Sequence, residues 1–176
     1  MPTVHDVDSY LQSRLGVSGG VKRHKMLYAI NRLSLFKTGN PLFSAEAEAW
    51  KWGPAFPGVY YNPQRRGNPD AIPAWGVPII SEVHQALGNC GGKVLAKRSH
   101  NRYPEWRAAR QGLGPNENGN NVITFEAMRR ALAREIATIV DGQVRVRVPS
   151  TKYGDIQQTL TNLRRITQGR LDFLTA

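Results

Sequence analysis

His100-Asn101-Arg102-Tyr103-Pro104-Glu105-Trp106 places a base, a cation, a phenol and a carboxylate within one short stretch. Such groups could share proton transfer if the fold brought them within hydrogen-bond reach of one another. His84 and Cys90 form a second combination, a thiol with a base to activate it. Structural readings compete with both. Trp106 can plug the core while Pro104 opens a helix, and Cys90, between Gly88-Asn89 and Gly91-Gly92, can pack as a small residue at a helix end. The structural readings are preferred because the rest of the catalytic repertoire is missing. The chain has no Walker loop, no dinucleotide fingerprint and no nucleophile elbow. His5, His24, His84 and His100 include no i, i+4 pair suited to a metal. A single cysteine excludes an intrachain disulfide framework and a cysteine zinc site. The expectation is a protein without catalysis, cofactor or metal.

Binding chemistry is better represented. Leu42-Phe43, Ala49-Trp50-Lys51-Trp52-Gly53-Pro54 and Pro57-Gly58-Val59-Tyr60-Tyr61 concentrate the aromatic residues. Two tryptophans two apart read as one face of a strand. Gly53-Pro54 forces a sharp exit, and Pro57 suits the first position of a helix carrying the tyrosines. Trp50, Gly53, Pro54 and Trp106 are assigned to a structural core motif. Trp52, Tyr60, Tyr61 and Arg102 are candidate partner contacts, since Trp, Tyr and Arg dominate protein-binding hot spots.

Charge supplies the second hint. The 176 residues carry 24 Lys+Arg against 13 Asp+Glu, a net +11. The excess is +3 over residues 1–92, +5 over 93–140 and +3 over 141–176, so its densest part is central. Such a field attracts nucleic acid, acidic proteins or anionic surfaces without choosing among them. For nucleic acid the candidates are Lys93, Lys97, Arg98, Arg129, Arg130 and Arg134. Apolar runs are only a few residues long, so no membrane span is expected. No secretory signal is seen at Met1–Asp6, and the expected compartment is the cytoplasm.

The elements that must position these residues are mostly helical. Thr3 caps a helix whose face is Val4, Val7, Tyr10, Leu11 and Leu15. A second helix runs from about Val21 to Thr38, with Met26, Leu27, Ile30, Leu33 and Leu35-Phe36 as its stripe. Lys22, Arg23, Lys25, Arg32 and Lys37 lie mostly off that stripe. A small β-hairpin is expected near residues 42–52. Asn62–Pro78, with four prolines, reads as a surface excursion. Helical patterns follow from Pro78 or Ile79 to Leu87, Lys93 to His100, Pro104 to Gln111 and, capped by Thr124, Phe125 to Val140. Gln143–Val148 alternates as a strand, with Arg145 and Arg147 on its polar face as further candidate partner contacts. Tyr153–Thr167 reads as a final helix. The predicted fold is mainly α, a compact helical bundle with that small hairpin and a C-terminal strand plus helix. Residues 1–140 are read as the helical domain and 141–176 as an extension.

Several of these segments resemble the Panacea domain, the SocA-like or GepA-like antitoxin family of bacteria and phages. Lys25-Met26-Leu27-Tyr28, Gly39-Asn40-Pro41-Leu42-Phe43 and above all Glu48-Ala49-Trp50-Lys51-Trp52-Gly53-Pro54 carry the resemblance, with Val59-Tyr60 following. His100, Glu105-Trp106, Ala109-Arg110 and Ile123-Thr124 are similar to its second half, so that residues 4–137 are covered. Ala55 stands where the family usually has valine, and 141–176 have no counterpart. The resemblance implies a non-catalytic, mainly helical protein that neutralises a cognate toxin by direct binding, as the antitoxin of a type II toxin–antitoxin system. It also implies, in one group, delivery of the toxin to a protease. The expected partner is a toxin with an acidic face. The alternative from charge is a nucleic-acid-binding regulator, and antitoxins that bind their own promoter DNA combine the two.

Overall fold

The computed structural model describes residues 1–140 and 143–146. Among them the architecture is mainly helical, with two small antiparallel strand pairs. Helix α1 (Val4–Ser13) opens on a reciprocal cap: the Thr3 hydroxyl accepts the Asp6 N–H, and the Asp6 carboxylate accepts the Thr3 N–H. Helix α2 (Gly20–Thr38) is the central element, ending at Gly39, whose φ of 75° is the left-handed cap geometry that glycine adopts without penalty. Met26, Leu27, Tyr28, Ile30 and Leu35 of α2 are fully buried. Each large side chain so buried contributes roughly 1.5–3 kcal/mol of transfer free energy.

The stretch after α2 is held by one side chain. Asn31 Oδ1 accepts the N–H groups of Leu42 (2.9 Å) and Phe43 (3.2 Å), while its Nδ2 donates to the Phe43 carbonyl (3.0 Å). An amide has both an acceptor and donors, so it can satisfy buried backbone that belongs to no strand. Leu42 and Phe43 are therefore wholly buried without β pairing. The expected hairpin over 42–52 is accordingly corrected in its pairing. Strand β1 (Ala47–Glu48) pairs antiparallel with β2 (Val122–Ile123), and Glu48 also bridges Ala55. The β element is small and antiparallel as expected, but its partner strand comes from far along the chain.

Helix α3 (Pro57–Tyr61) follows, then the proline-rich segment. That segment lies on the surface, yet it is strapped to α1. Gly67 N–H donates to Ser9 Oγ, Asn68 N–H to Asp6 Oδ1, and Arg14 pairs with Asp70 in the 3-10 turn at Pro69–Ala71. Ile72 pins its end in the core. Helix α4 (Gly76–Leu87) and helix α5 (Gly92–Arg102) pack on α2, and α6 (Pro104–Ala109) follows α5. Helix α7 (Phe125–Ile136) stops four residues before the expected Val140. The run Ala137-Thr138-Ile139-Val140 is rich in β-branched residues and precedes Asp141-Gly142, a dipeptide that favours tight hairpins. Strand β3 (Ala137–Val140) pairs antiparallel with β4 (Gln143–Val146). The strand expected at 143–148 is thus present through Val146; Arg147, Val148 and the expected helix over Tyr153–Thr167 lie outside the described residues. No helix among the described residues is long and apolar enough to cross a membrane.

Candidate partner-binding site

The aromatic segment folds into a supported loop. After β1 the chain turns at Trp50–Gly53, closed by Gly53 N–H to the Trp50 carbonyl at 2.9 Å, and returns so that Ala55 and Glu48 exchange backbone bonds of 2.8 and 3.0 Å. Trp50 and Trp52 lie in this turn and not on a strand, which corrects the alternation reading. Val59, 1% exposed, anchors α3 in the core, and α3 then presents Tyr60 and Tyr61 outward.

Three rings meet there. Trp50 stands edge-on to Tyr60 with centroids 4.8 Å apart and to Tyr61 at 6.1 Å, and the tyrosines meet at 5.2 Å. Trp50 is half-buried, its indole N–H donating to Glu48 Oε2 at 2.8 Å. It therefore belongs to this surface cluster as well as to the structural motif to which the sequence assigned it. Tyr60 is 55%, Tyr61 71% and Trp52 59% exposed. Trp52 stands at the tip of the turn without ring contact to the other three. Trp75 is also exposed; as a lone Trp in a proline-rich stretch it carries no periodicity that would mark it in the sequence.

The underside of the loop is rigidly held. The Trp106 indole donates to the Trp50 carbonyl at 3.0 Å, and Arg110 donates to the carbonyls of Ala49, Gly114 and Glu117. Trp106 is buried, with His100 stacked 4.3 Å from it and the Arg110 guanidinium 5.3 Å from its ring centroid. Lys25 reaches up from α2 and donates to the Pro54 carbonyl at 2.9 Å, and Phe56 N–H donates to His24 Nδ1 at 3.2 Å. Both residues are buried. Lys25 was placed off the apolar stripe by its charge; its ammonium instead satisfies a loop carbonyl that no backbone group reaches.

Burial of these two bases has a measurable consequence. It lowers the Lys25 pKa to about 7 and that of His24 to about 4. In the unfolded chain they titrate near 10.5 and 6.5. Between each pair of values the unfolded chain holds more protons, so stability rises with pH in both windows. Urea midpoints are expected to increase from pH 4.5 to 6.5 through His24 and from pH 7 to 9 through Lys25. Lys25→Met should flatten the upper window and, by removing a neighbouring positive charge, also narrow the His24 window; an unchanged upper slope would show that the amine is not desolvated.

The other sequence candidates scatter. Glu105 is 4% exposed: its Oε1 accepts the Tyr28 hydroxyl at 2.7 Å and Arg32 Nε at 2.9 Å, so it is engaged in the core and not presented to a substrate. Cys90 is half-buried and accepts from Arg98 Nη1 at 3.3 Å. Lys93, Lys97, Arg98 and Arg102 are exposed on α5. On α7, Arg129 donates to the Gly39 carbonyl and Arg130 pairs with Glu126, while Arg134 is exposed. Arg145 lies on β4, and Arg147 lies outside the described residues. Among the described residues no group of three or more His, Cys, Asp or Glu could hold a metal ion.

Family models, curated proteins and solved structures yield no match to this chain.

Proposed function

We propose that this protein is a Panacea-type antitoxin that neutralises a toxin in the cytoplasm by binding it directly, without catalysis. The observation carrying this reading is the Trp50–Tyr60–Tyr61 ring cluster, with Tyr60 and Tyr61 exposed, together with exposed Trp52 at the tip of the same supported loop. Pre-ordered aromatic rings give large contact area at little entropic cost, which is what a hot spot requires. The residues that carry the family resemblance are those that build the scaffold. Gly39–Phe43 is the segment clamped by Asn31, Lys25 and Pro54 are hydrogen-bonded, and Trp50 and Trp106 share a hydrogen bond.

The partner is a protein with an apolar centre and an acidic rim. Lys51 lies within the turn, and Arg65 and Arg66 follow α3 on exposed chain; together with a net +11 they favour such a rim and speed encounter. The test is co-expression with the product of the neighbouring gene. That product should arrest growth alone, and this protein should restore growth and co-purify with it. A harmless neighbour, or rescue without a complex, contradicts direct neutralisation.

A further inference from the structure

Helix α5 carries a second surface. We infer that α5 lies in the major groove of duplex DNA, with a row of cations against each phosphate strand. Its sequence from Gly92 to Arg102 contains Lys93, Lys97, Arg98 and Arg102 and no acidic residue. All four side chains are exposed and none has an ion-pair partner among the described residues. The opposite face, Leu95, Ala96 and Ser99, is buried.

The distribution of the cations decides the ligand. At about 100° per residue, Lys93 and Lys97 fall on one flank of the exposed half-cylinder, and Arg98 and Arg102 on the other. Val94 and Asn101 lie between the two flanks, both exposed. A helix about 10–12 Å across matches a major groove about 12 Å wide. In that seat the two flanks meet the two phosphate strands, and only short side chains face the base edges. An amide at Asn101 also suits adenine, which presents an acceptor and a donor there. A protein hot spot would need a large aromatic centre, and this face offers only Val94 and Asn101 between its cations. Duplex RNA is disfavoured because its major groove is too narrow to admit a helix.

The helix is also held in place. Arg107 from α6 donates to the carbonyls of His100 (2.8 Å) and Asn101 (2.9 Å), which satisfies the last turn of α5. On α7, by contrast, Arg130 is ion-paired with Glu126 and Arg129 donates to the Gly39 carbonyl, so two of its arginines are engaged within the protein.

The experiment is fluorescence anisotropy of the full chain on a labelled 20-base-pair DNA duplex of arbitrary sequence. Four phosphate contacts predict a slope of about −3.6 in log K against log salt, or about 150-fold weaker binding at 200 mM than at 50 mM. Lys93→Glu with Lys97→Glu, and separately Arg98→Gln with Arg102→Gln, should each halve that slope and weaken binding at least about tenfold at 50 mM. Circular dichroism matching the wild type checks that both variants fold. Arg14→Gln and Trp75→Ala, both outside α5, should bind DNA as the wild type does. No binding at 50 mM salt overturns the inference. So does an unchanged slope in the folded flank variants, loss of binding in the control variants, or equal affinity for an RNA duplex or poly-glutamate.

Discussion

Glu105→Ala is expected to destabilise the protein by about 3–5 kcal/mol, read as a lower urea midpoint with an unchanged slope. Glu105 sits where three helices meet. It joins Tyr28 and Arg32 of α2 to α6, and Arg32 in turn pairs with Glu135 of α7 while its guanidinium lies 5.2 Å from the Tyr103 ring centroid. Removing the carboxylate leaves a buried hydroxyl and a largely buried guanidinium short of an acceptor. That desolvation cost, rather than the lost attraction, dominates such changes. Tyr28→Phe removes one hydrogen bond and should cost only about 1 kcal/mol. The two losses differ because one variant takes a buried carboxylate from both the Tyr28 hydroxyl and the Arg32 guanidinium, leaving Arg32 with Glu135 alone, and the other removes one neutral donor. Near-equal losses would show that water screens the network. Since Trp106 neighbours Glu105 on α6 and holds the Trp50 carbonyl, Glu105→Ala should also loosen the aromatic surface.

Gly53→Ala should cost about 2–5 kcal/mol, from two separable causes. The φ of Gly53 is +93°, a conformation that a Cβ disfavours. Its Cβ would also run into Ser99 Oγ and come within 2.8 Å of Lys25 Cε. Relief of that crowding moves either α5 or the Lys25 bond to Pro54, so the tip of the turn shifts with Trp52. Gly58→Ala is the internal control. A Cβ there meets only His5 Nε2 at 3.8 Å, and alanine favours the helical backbone of α3. That variant should be stabilised by about 0.5–1 kcal/mol. The same substitution five residues apart thus changes sign, and thermal unfolding of both variants checks it. Stabilisation of Gly53→Ala would refute the strained turn.

What the sequence revealed and what it concealed divide along physical lines. Local signals were legible. The Thr3–Asp6 cap, the Gly39 stop, Pro57 and Pro104 at helix starts, and the α2 stripe all appear where periodicity and capping place them. Long-range polar satisfaction was not legible. Nothing local in Asn31 announces that it replaces a strand partner for Leu42 and Phe43, nor in Glu105 that it meets Tyr28. Lys25 and Arg32 read as lying mostly off the apolar stripe of α2, yet their heads find a carbonyl and a carboxylate inside. Trp50 and Trp52 mimicked strand alternation because a turn closed by glycine also spaces residues by two. The end of α7 was overrun because Ile136 and Ile139 keep helical spacing, while the β-branched run that contains Ile139 favours β3.

The aromatic cluster as docking surface is tested most directly by calorimetric titration of the purified neighbouring toxin with wild-type protein and with the Trp52→Ala, Tyr61→Ala double variant. Two hot-spot rings at about 2 kcal/mol each predict affinity weakened by roughly 1,000-fold, with the melting temperature essentially unmoved because both rings are exposed. Toxin affinity within a few-fold of wild type in the folded double variant would contradict the account.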